Sequence, residues 1–393
     1  MNRRLRLLPL VIVGLILAAG CASREGQISA ITTAQRCAGA QTVILVIGAH
    51  RDAPEPTLDP PVICQLTAAI RAGKPVRIVV ASGQPQLIIP QLPSQADATL
   101  AEQHSPWVGR DVQLVETAVA AARPDAPGVD DLAALAVAAD EVRTLGAPDA
   151  DLVLVDSGLD DRGALDFTVP GLLAATPAEV AGQLKGTDNL PDLQGFTVTL
   201  VGVGYTATPQ PPLSAKWRSN VTAIWVATLR AAGAKVEVIP QPGQGPSVST
   251  NEPVQLVPLP TTQHVAPGYH KTLVFTGASP VRFQPNTTAF VDQAAAVRAL
   301  LPIARWLVAD RSRHAWLEGT TADVGLMSGQ IALSRLRADR VRTVLISLGA
   351  SAAQISIRGV GSDFPQFTPD RNAAGTLLAG PATLNRSVRI TLG

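Results

Sequence analysis

Gly319-Thr320-Thr321-Ala322-Asp323-Val324-Gly325, followed by Leu333-Ser334-x-x-Arg337-Ala338-x-x-Val341, is the stretch on which the reading of this chain turns. Ala315 to Thr320 has strand character, and Ser328 to Leu348 reads as a helix that stops at Gly349, a residue suited to a helix C-terminus. Working outward, Thr272 to Phe275 and Val281 to Phe283 are strand-like. Thr287 to Asp310 reads as a helix with Val291, Ala294, Ala295, Val297, Leu300, Leu301, Ala304 and Leu307 available for an inward face. Ile355 to Gly359 and Val388 to Thr391 add two strands. The expected unit is a sheet covered on one face by two helices, an α+β sandwich of about 120 residues.

Further motifs follow in order: Gly359, Gly361 and Pro365, then Asn385-Arg386-Ser387-Val388-Arg389-Ile390. With these, residues 270–393 resemble the OmpA-like peptidoglycan-associated domain. That family's pattern runs G-H-T-D-x-x-G, N-x-x-L-S-x-x-R-A-x-x-V, G-x-G with a nearby proline, and N-R-R-V. Gly319, Thr321, Gly325, Leu333, Ser334, Arg337, Ala338 and Val341 match without a gap, and Asn385, Arg386 and Val388 match further on. The same positions also have purely structural uses, glycines for turns and Leu333 and Val341 for a core.

The resemblance implies a pocket for the diaminopimelate residue of cell-wall peptide, where an aspartate meets the ligand ammonium and an arginine its carboxylate. Arg337 stands at the arginine position, but Ala322 occupies that of the aspartate, with Asp323 next to it. Thr320 replaces the motif histidine, Gln330 the asparagine and Ser387 the second arginine. Carried over residue by residue, the candidate ligand-binding set is Thr321, Asp323, Gln330, Arg337 and Arg386. Loss of one partner from a desolvated charge pair costs on the order of 2–5 kcal/mol, so wall affinity is expected to suffer. Adjacent side chains usually point in different directions, so Asp323 is not assumed to compensate. Arg337 has equally plain uses as a partner for Asp323 or for a helix-end carbonyl.

At the other end, Arg3, Arg4 and Arg6 precede an apolar run from Leu7 to Ala19 that closes in Leu17-Ala18-Ala19-Gly20-Cys21. The run has the order of an export signal and is short for a membrane span. Small residues before Cys21 resemble the lipobox of bacterial lipoproteins, which implies a signal peptide at 1–20, lipidation of Cys21 and a membrane attachment facing outside the cytoplasm. Ordinary secretion and an uncleaved anchor are the alternatives, and both still export the folded part. The remaining cysteines, Cys37 and Cys64, form either a disulfide in an oxidising compartment or two free thiols. Residues 21–41 are a lead-in.

From 42 to 241 short β-branched runs alternate with helical segments. Val43 to Ile47, Val76 to Val80, Leu152 to Val155, Val198 to Val201 and Val236 to Ile239 lack strand alternation, as expected when both faces of a strand are covered. Pro61 to Arg71, Val112 to Ala122, Val129 to Leu145, Thr176 to Leu184 and Ser214 to Ala232 supply the crossovers, and Thr176-Pro177-Ala178-Glu179 spells a capping box. A three-layer α/β domain with a mostly parallel sheet follows. Asp156-Ser157-Gly158-Leu159-Asp160 after one strand and Gly202-Val203-Gly204 after the next resemble a von Willebrand factor A-like domain. That family's first strand leads into D-x-S-x-S, which ligates magnesium. Here it leads into Gly48-Ala49-His50-Arg51-Asp52, so the resemblance implies a degenerate member without its metal.

Residues 242–269 are rich in proline and glycine and read as a semi-stiff linker, with Val254 to Val257 as an edge-strand candidate. A net charge of +1, from 32 basic and 31 acidic residues, offers no field for a nucleic-acid backbone. No zinc spacing, dinucleotide fingerprint or nucleophile elbow is present, so no metal, cofactor or catalytic residue is expected. Asp156, Asp160, Asp161 and Asp166 are expected to form a solvated loop at strand ends. The chain therefore reads as a non-enzymatic cell-envelope lipoprotein, a tether or scaffold between membrane and peptidoglycan. The alternative is an interaction module that engages an envelope protein and no longer binds peptidoglycan.

Overall fold

The computed structural model describes residues 41–93, 104–147, 150–240, 245–260 and 265–393. The expected signal peptide, Cys21 and Cys37 lie outside the described residues. Cys64 is disulfide-bonded. Among the described residues no helix is long and apolar enough to cross a membrane.

The first sheet is built from β1 (Thr42–Gly48), β2 (Val76–Ala81), β3 (Gln86–Ile88), β4 (Ala150–Val155), β5 (Thr197–Val201) and β6 (Lys235–Ile239), in the order β3-β2-β1-β4-β5-β6. All neighbours are parallel except β3, which pairs antiparallel with β2. The sheet is therefore mixed. The sequence reading missed β3, because three largely exposed residues are too few to show a period.

Every residue of β1 is buried, because its two faces each meet a core. Val43, Leu45 and Ile47 pack with Val62 and Leu66 of α1 (Pro60–Arg71) and with Val112 and Val115 of α2 (His104–Ala121). Ile44 and Val46 face Leu132 and Leu135 of α3 (Asp131–Thr144), Leu184 of α4 (Pro177–Gly186) and Ile224 of α5 (Ala215–Ala231). Alternation along the strand thus serves two apolar layers and leaves no polar position in between.

The proline-rich segment is a strap laid on this domain. Pro246 O accepts from Glu55 N at 2.9 Å, Pro253 O from Gly128 N at 2.9 Å, and Gln210 clamps Val257 through both its N–H and its carbonyl. Val257 is buried in the core, but Val254 to Val257 form no strand, since their backbone groups are taken by side chains and loops.

The second sheet joins β7 (Thr272–Phe275), β8 (Ala315–Gly319), β9 (Ile355–Gly359) and β10 (Val388–Leu392) in the order β7-β10-β8-β9. The pair β8–β9 is parallel, and β10 runs antiparallel to both β7 and β8. Helices α6 (Gln293–Val308) and α7 (Met327–Ser347) supply its core with Leu300, Ile303, Leu307, Ala338, Val341 and Leu345. Helix α6 starts later than expected. The Asp292 carboxylate caps it by accepting from Ala295 N at 2.9 Å, so Val291 falls before the first turn and is exposed. Val281 to Phe283 form no strand and keep only the bridge from Phe283 to Phe290. A short helix α8 (Ala379–Asn385), not foreseen, precedes β10.

Candidate functional site

The motif of the C-terminal domain converges on one small cavity. A Cβ on Gly319 would lie 1.9 Å from Ser334 O, so glycine there lets α7 press directly on β8 and brings Arg337 beneath the turn that follows. The cavity, of ≈ 50 Å³, is lined by Thr321, Ala322, Gln330, Leu333, Arg337 and Arg386 among others. Thr321, Gln330, Arg337 and Arg386 of the expected ligand-binding set therefore meet, and the buried Thr321 hydroxyl has no partner. Asp323 does not join them. Its carboxylate accepts from Gln330 Nε2 at 2.9 Å and lies 3.6 Å from Arg371.

Arg337 is buried and serves backbone. Its Nε donates to Thr287 O at 3.0 Å and Nη2 to Gln284 O at 3.3 Å, while its guanidinium lies 5.3 Å from the centre of the Phe283 ring. Its partners are neither Asp323 nor a helix-end carbonyl, the two plain uses expected, but carbonyls of the segment before α6. Burial, followed by the nearby Arg386 charge, lowers the Arg337 pKa to about 10. Arg386 donates from both terminal nitrogens to the Glu179 carboxylate, at 2.7 and 2.6 Å. Glu179 was expected to complete a capping box on α4. Thr176 makes no side-chain bond to that helix, and Glu179 is drawn instead to the guanidinium of the other domain.

A second polar centre lies at the carboxyl ends of β1 and β4, where the crossovers depart in opposite directions and open α/β sheets form their ligand crevice. His50 Nδ1 bonds the Asp52 carboxylate, and its Nε2 lies 2.7 and 3.0 Å from the two oxygens of Asp156. Gly48 makes the approach feasible, since a Cβ there would sit 2.0 Å from the Asp156 carboxyl carbon. Asp131, at the start of α3, and Asp160 complete the cluster, all five side chains being buried.

Burial opposes charge on His50, but Asp156 and Asp52 outweigh it and hold its pKa well above the usual value. Burial alone would raise the Asp156 carboxyl; His50 reverses this and the net shift is downward. Burial, then Asp156 and Asp160, push Asp131 well up and favour its neutral form. Burial, then Asp130 and Asp156, do the same to Asp160. His50 is thus held between the Asp52 and Asp156 carboxylates, which favour its protonated form. Among the described residues no group of three or more histidines, cysteines or carboxylates is arranged to hold a metal ion, and magnesium's oxygen shell does not fit a position filled by a histidine ring.

The expected solvated loop is corrected here. Asp156, Asp160 and Asp161 are buried, and Asp161 accepts from Val129 N at 2.7 Å and also from Gln255 N of the strap. The sequence reading passed over His50. Its available signal was a histidine two residues from an aspartate directly after a fully apolar strand. The cavity beside Asp156, bordered by Glu55, Asp59, Ser157 and Tyr205, measures ≈ 30 Å³, room for a few waters at most.

Comparison with known proteins gives a family for the C-terminal domain. Residues 282–375 match the model of the OmpA family, so this region is an OmpA domain. Among solved structures, the peptidoglycan-associated lipoprotein from Burkholderia pseudomallei is 22% identical over 30% of this chain and 89% of its own, with a TM-score of 0.25. The periplasmic domain of Helicobacter pylori MotB is 23% identical over 31% of this chain and 74% of its own, with a TM-score of 0.26. The OmpA-like domain of FopA1 from Francisella tularensis is 16% identical over 31% of this chain and 70% of its own, with a TM-score of 0.23. The comparison with curated proteins finds no match.

Proposed function

We propose that this protein, whose residues 282–375 are an OmpA domain, is a non-enzymatic tether of the bacterial cell envelope that engages the peptide of peptidoglycan. The observation that carries this reading is the convergence of Thr321, Gln330, Arg337 and Arg386 on one cavity at the matching motif positions. Two guanidinium groups there suit a carboxylate. The ammonium of a zwitterionic diaminopimelate is left without a carboxylate partner, because Ala322 lines the cavity and Asp323 is engaged elsewhere. Weak binding is therefore the expected state of the wild-type pocket.

In this reading Cys21 carries lipid, Cys37 is bridged to Cys64, and the protein faces away from the cytoplasm. Residues 42–241 form a von Willebrand A-like domain without its metal, with His50 in place of the cation. Such a domain suits protein contact better than catalysis, because the cavity at its strand ends is too small for a substrate. Sedimentation with purified peptidoglycan tests the tether. Weak, saturable binding that is lost in Arg386→Ala is the expected result. Absence of any binding would favour the second reading, an envelope interaction module, which the closed state of the arginine cavity supports.

A further inference from the structure

The ion pair between Glu179 and Arg386 joins the two domains at a place where nothing in the tether reading requires a bond. Glu179 lies in the first turn of α4 and Arg386 directly follows α8, which packs on α4 and on the turn Leu172–Ala174. The contact is built rather than incidental. Ala379 is fully buried within the N-terminal core, its N–H donates to Gln183 Oε1 at 2.7 Å, and the Thr376 hydroxyl donates to Gly186 O at 3.3 Å. The carboxylate receives two N–H bonds from one guanidinium, the fork geometry by which an arginine grips a carboxylate ligand. Both side chains are largely withdrawn from solvent, 10% and 19% exposed, so salt screens them little.

We propose that Glu179 is an internal competitor for the guanidinium of Arg386, which lines the pocket, so that the N-terminal domain and the carboxylate of a wall peptide compete for Arg386. The proposal rests on the wall-peptide reading of that pocket. The residual cavity of ≈ 50 Å³ holds a few waters and is too small for a diaminopimelate side chain, so a ligand enters only if the clasp moves. Wall binding then withdraws Arg386 from Glu179 and loosens α8 from α4. By reciprocity, whatever draws the N-terminal domain away raises affinity for the wall. Attachment to the wall and separation of the domains become one equilibrium.

The test compares the full chain with its Glu179→Gln variant, using peptidoglycan sacculi and a soluble diaminopimelate-containing muropeptide, with the radius of gyration from X-ray scattering as a second readout. Glu179→Gln keeps the shape and removes the charge. Binding should tighten on the order of tenfold, the gain expected if the open state is about a tenth populated in the wild type. The variant should also be more expanded, the wild type should expand on adding muropeptide, and the gain should vanish when Arg386→Ala is added. Unchanged binding and an unchanged radius would overturn the proposal. So would weaker binding by Glu179→Gln, which would mean that Glu179 serves the ligand ammonium in place of residue 322. If neither form binds while Glu179→Gln still expands, the wall-peptide reading falls and the interdomain clasp stands, so the two failures are distinguishable.

Discussion

The hydroxyls of Thr320 and Ser387 hydrogen-bond to one another at 2.8 Å, just beyond the end of β8 and just before β10. These are two of the positions at which the chain departs from its motif, where a histidine and an arginine would stand. The departures are concerted. Thr320 N donates to Ser387 O at 2.9 Å, and Ser387 N returns a bond to Thr320 Oγ1 at 3.1 Å, so two small hydroxyls close the strand pair that two large side chains would flank. With both residues buried, the turn leading to Ala322 is anchored independently of any ligand.

Thr320→Val keeps the side-chain shape but leaves the Ser387 N–H and hydroxyl without their partner. A loss of about 1–3 kcal/mol is expected, the cost of a buried unsatisfied group. Ser387→Ala in that background should cost less than Ser387→Ala alone, because the shared bond is already gone. Urea denaturation of the four forms measures this.

Ala322→Asp restores a carboxylate to a cavity that already holds two guanidinium groups. Affinity for diaminopimelate-containing fragments should rise by roughly tenfold or more, the return expected from re-forming one desolvated charge pair. The gain should be small in Ala322→Asp combined with Arg386→Ala. Calorimetry with a soluble muropeptide reads both. A folded Ala322→Asp variant that binds no better would mean that the cavity no longer has the diaminopimelate shape.

His50 makes the N-terminal domain sensitive to alkali. Its native pKa is raised, so the native state holds a proton that the unfolded chain gives up near the ordinary histidine value of about 6.5. That stabilisation is complete below the unfolded pKa and is lost as pH rises through the native one. The raised Asp131 carboxyl works in the same direction from the usual carboxylate range upward. Thermal denaturation should therefore show stability falling as pH rises above the unfolded histidine value of about 6.5. His50→Gln should flatten that slope and destabilise by about 3–5 kcal/mol, because it leaves buried carboxylates uncompensated.

Lys216 acts in the opposite sense. Burial, then the Arg282 guanidinium of the other domain, lower its pKa to about 8, with Asp292 opposing. Between about 8 and the unfolded lysine value near 10.4, the unfolded chain binds more protons, so this group's contribution to stability rises with pH. Lys216→Met should remove that component, and Arg282→Gln should reduce it. The effect is modest because Lys216 is exposed and solvent screens its charge. Comparing the pH dependence of denaturation in the three proteins isolates it.

Regular periods and strand ends were readable from sequence; partners brought together by tertiary contact were not. The apolar runs of β1, β2 and β4 and the spacing around Gly319 and Arg337 are local properties, and they place the strands and α7 within a residue or two. Glu179 was legible only as a cap, because its partner lies 207 residues away and local grammar offered a sufficient use for it. His50 was missed for the same reason, with Asp156 106 residues distant. The aspartates after β4 looked solvated because charge clusters usually are. They are buried because the α3 N-terminus and the strap satisfy part of the cluster from elements that the sequence shows far apart.

The strap has a consequence for reach. Because the chain is hydrogen-bonded to the N-terminal domain as far as Val257 and packs on its core through Leu259, only residues 260–271 separate the last pinned point from β7, a leash of about 12 residues and at most roughly 43 Å when fully drawn out. A C-terminal domain on so short a leash never leaves the neighbourhood of Glu179. The internal carboxylate then presents itself at an effective concentration in the millimolar range, on the order expected for short linkers. A dissolved wall fragment would be outcompeted at lower concentrations, whereas the polymeric wall, with its repeated peptides held in place, would not.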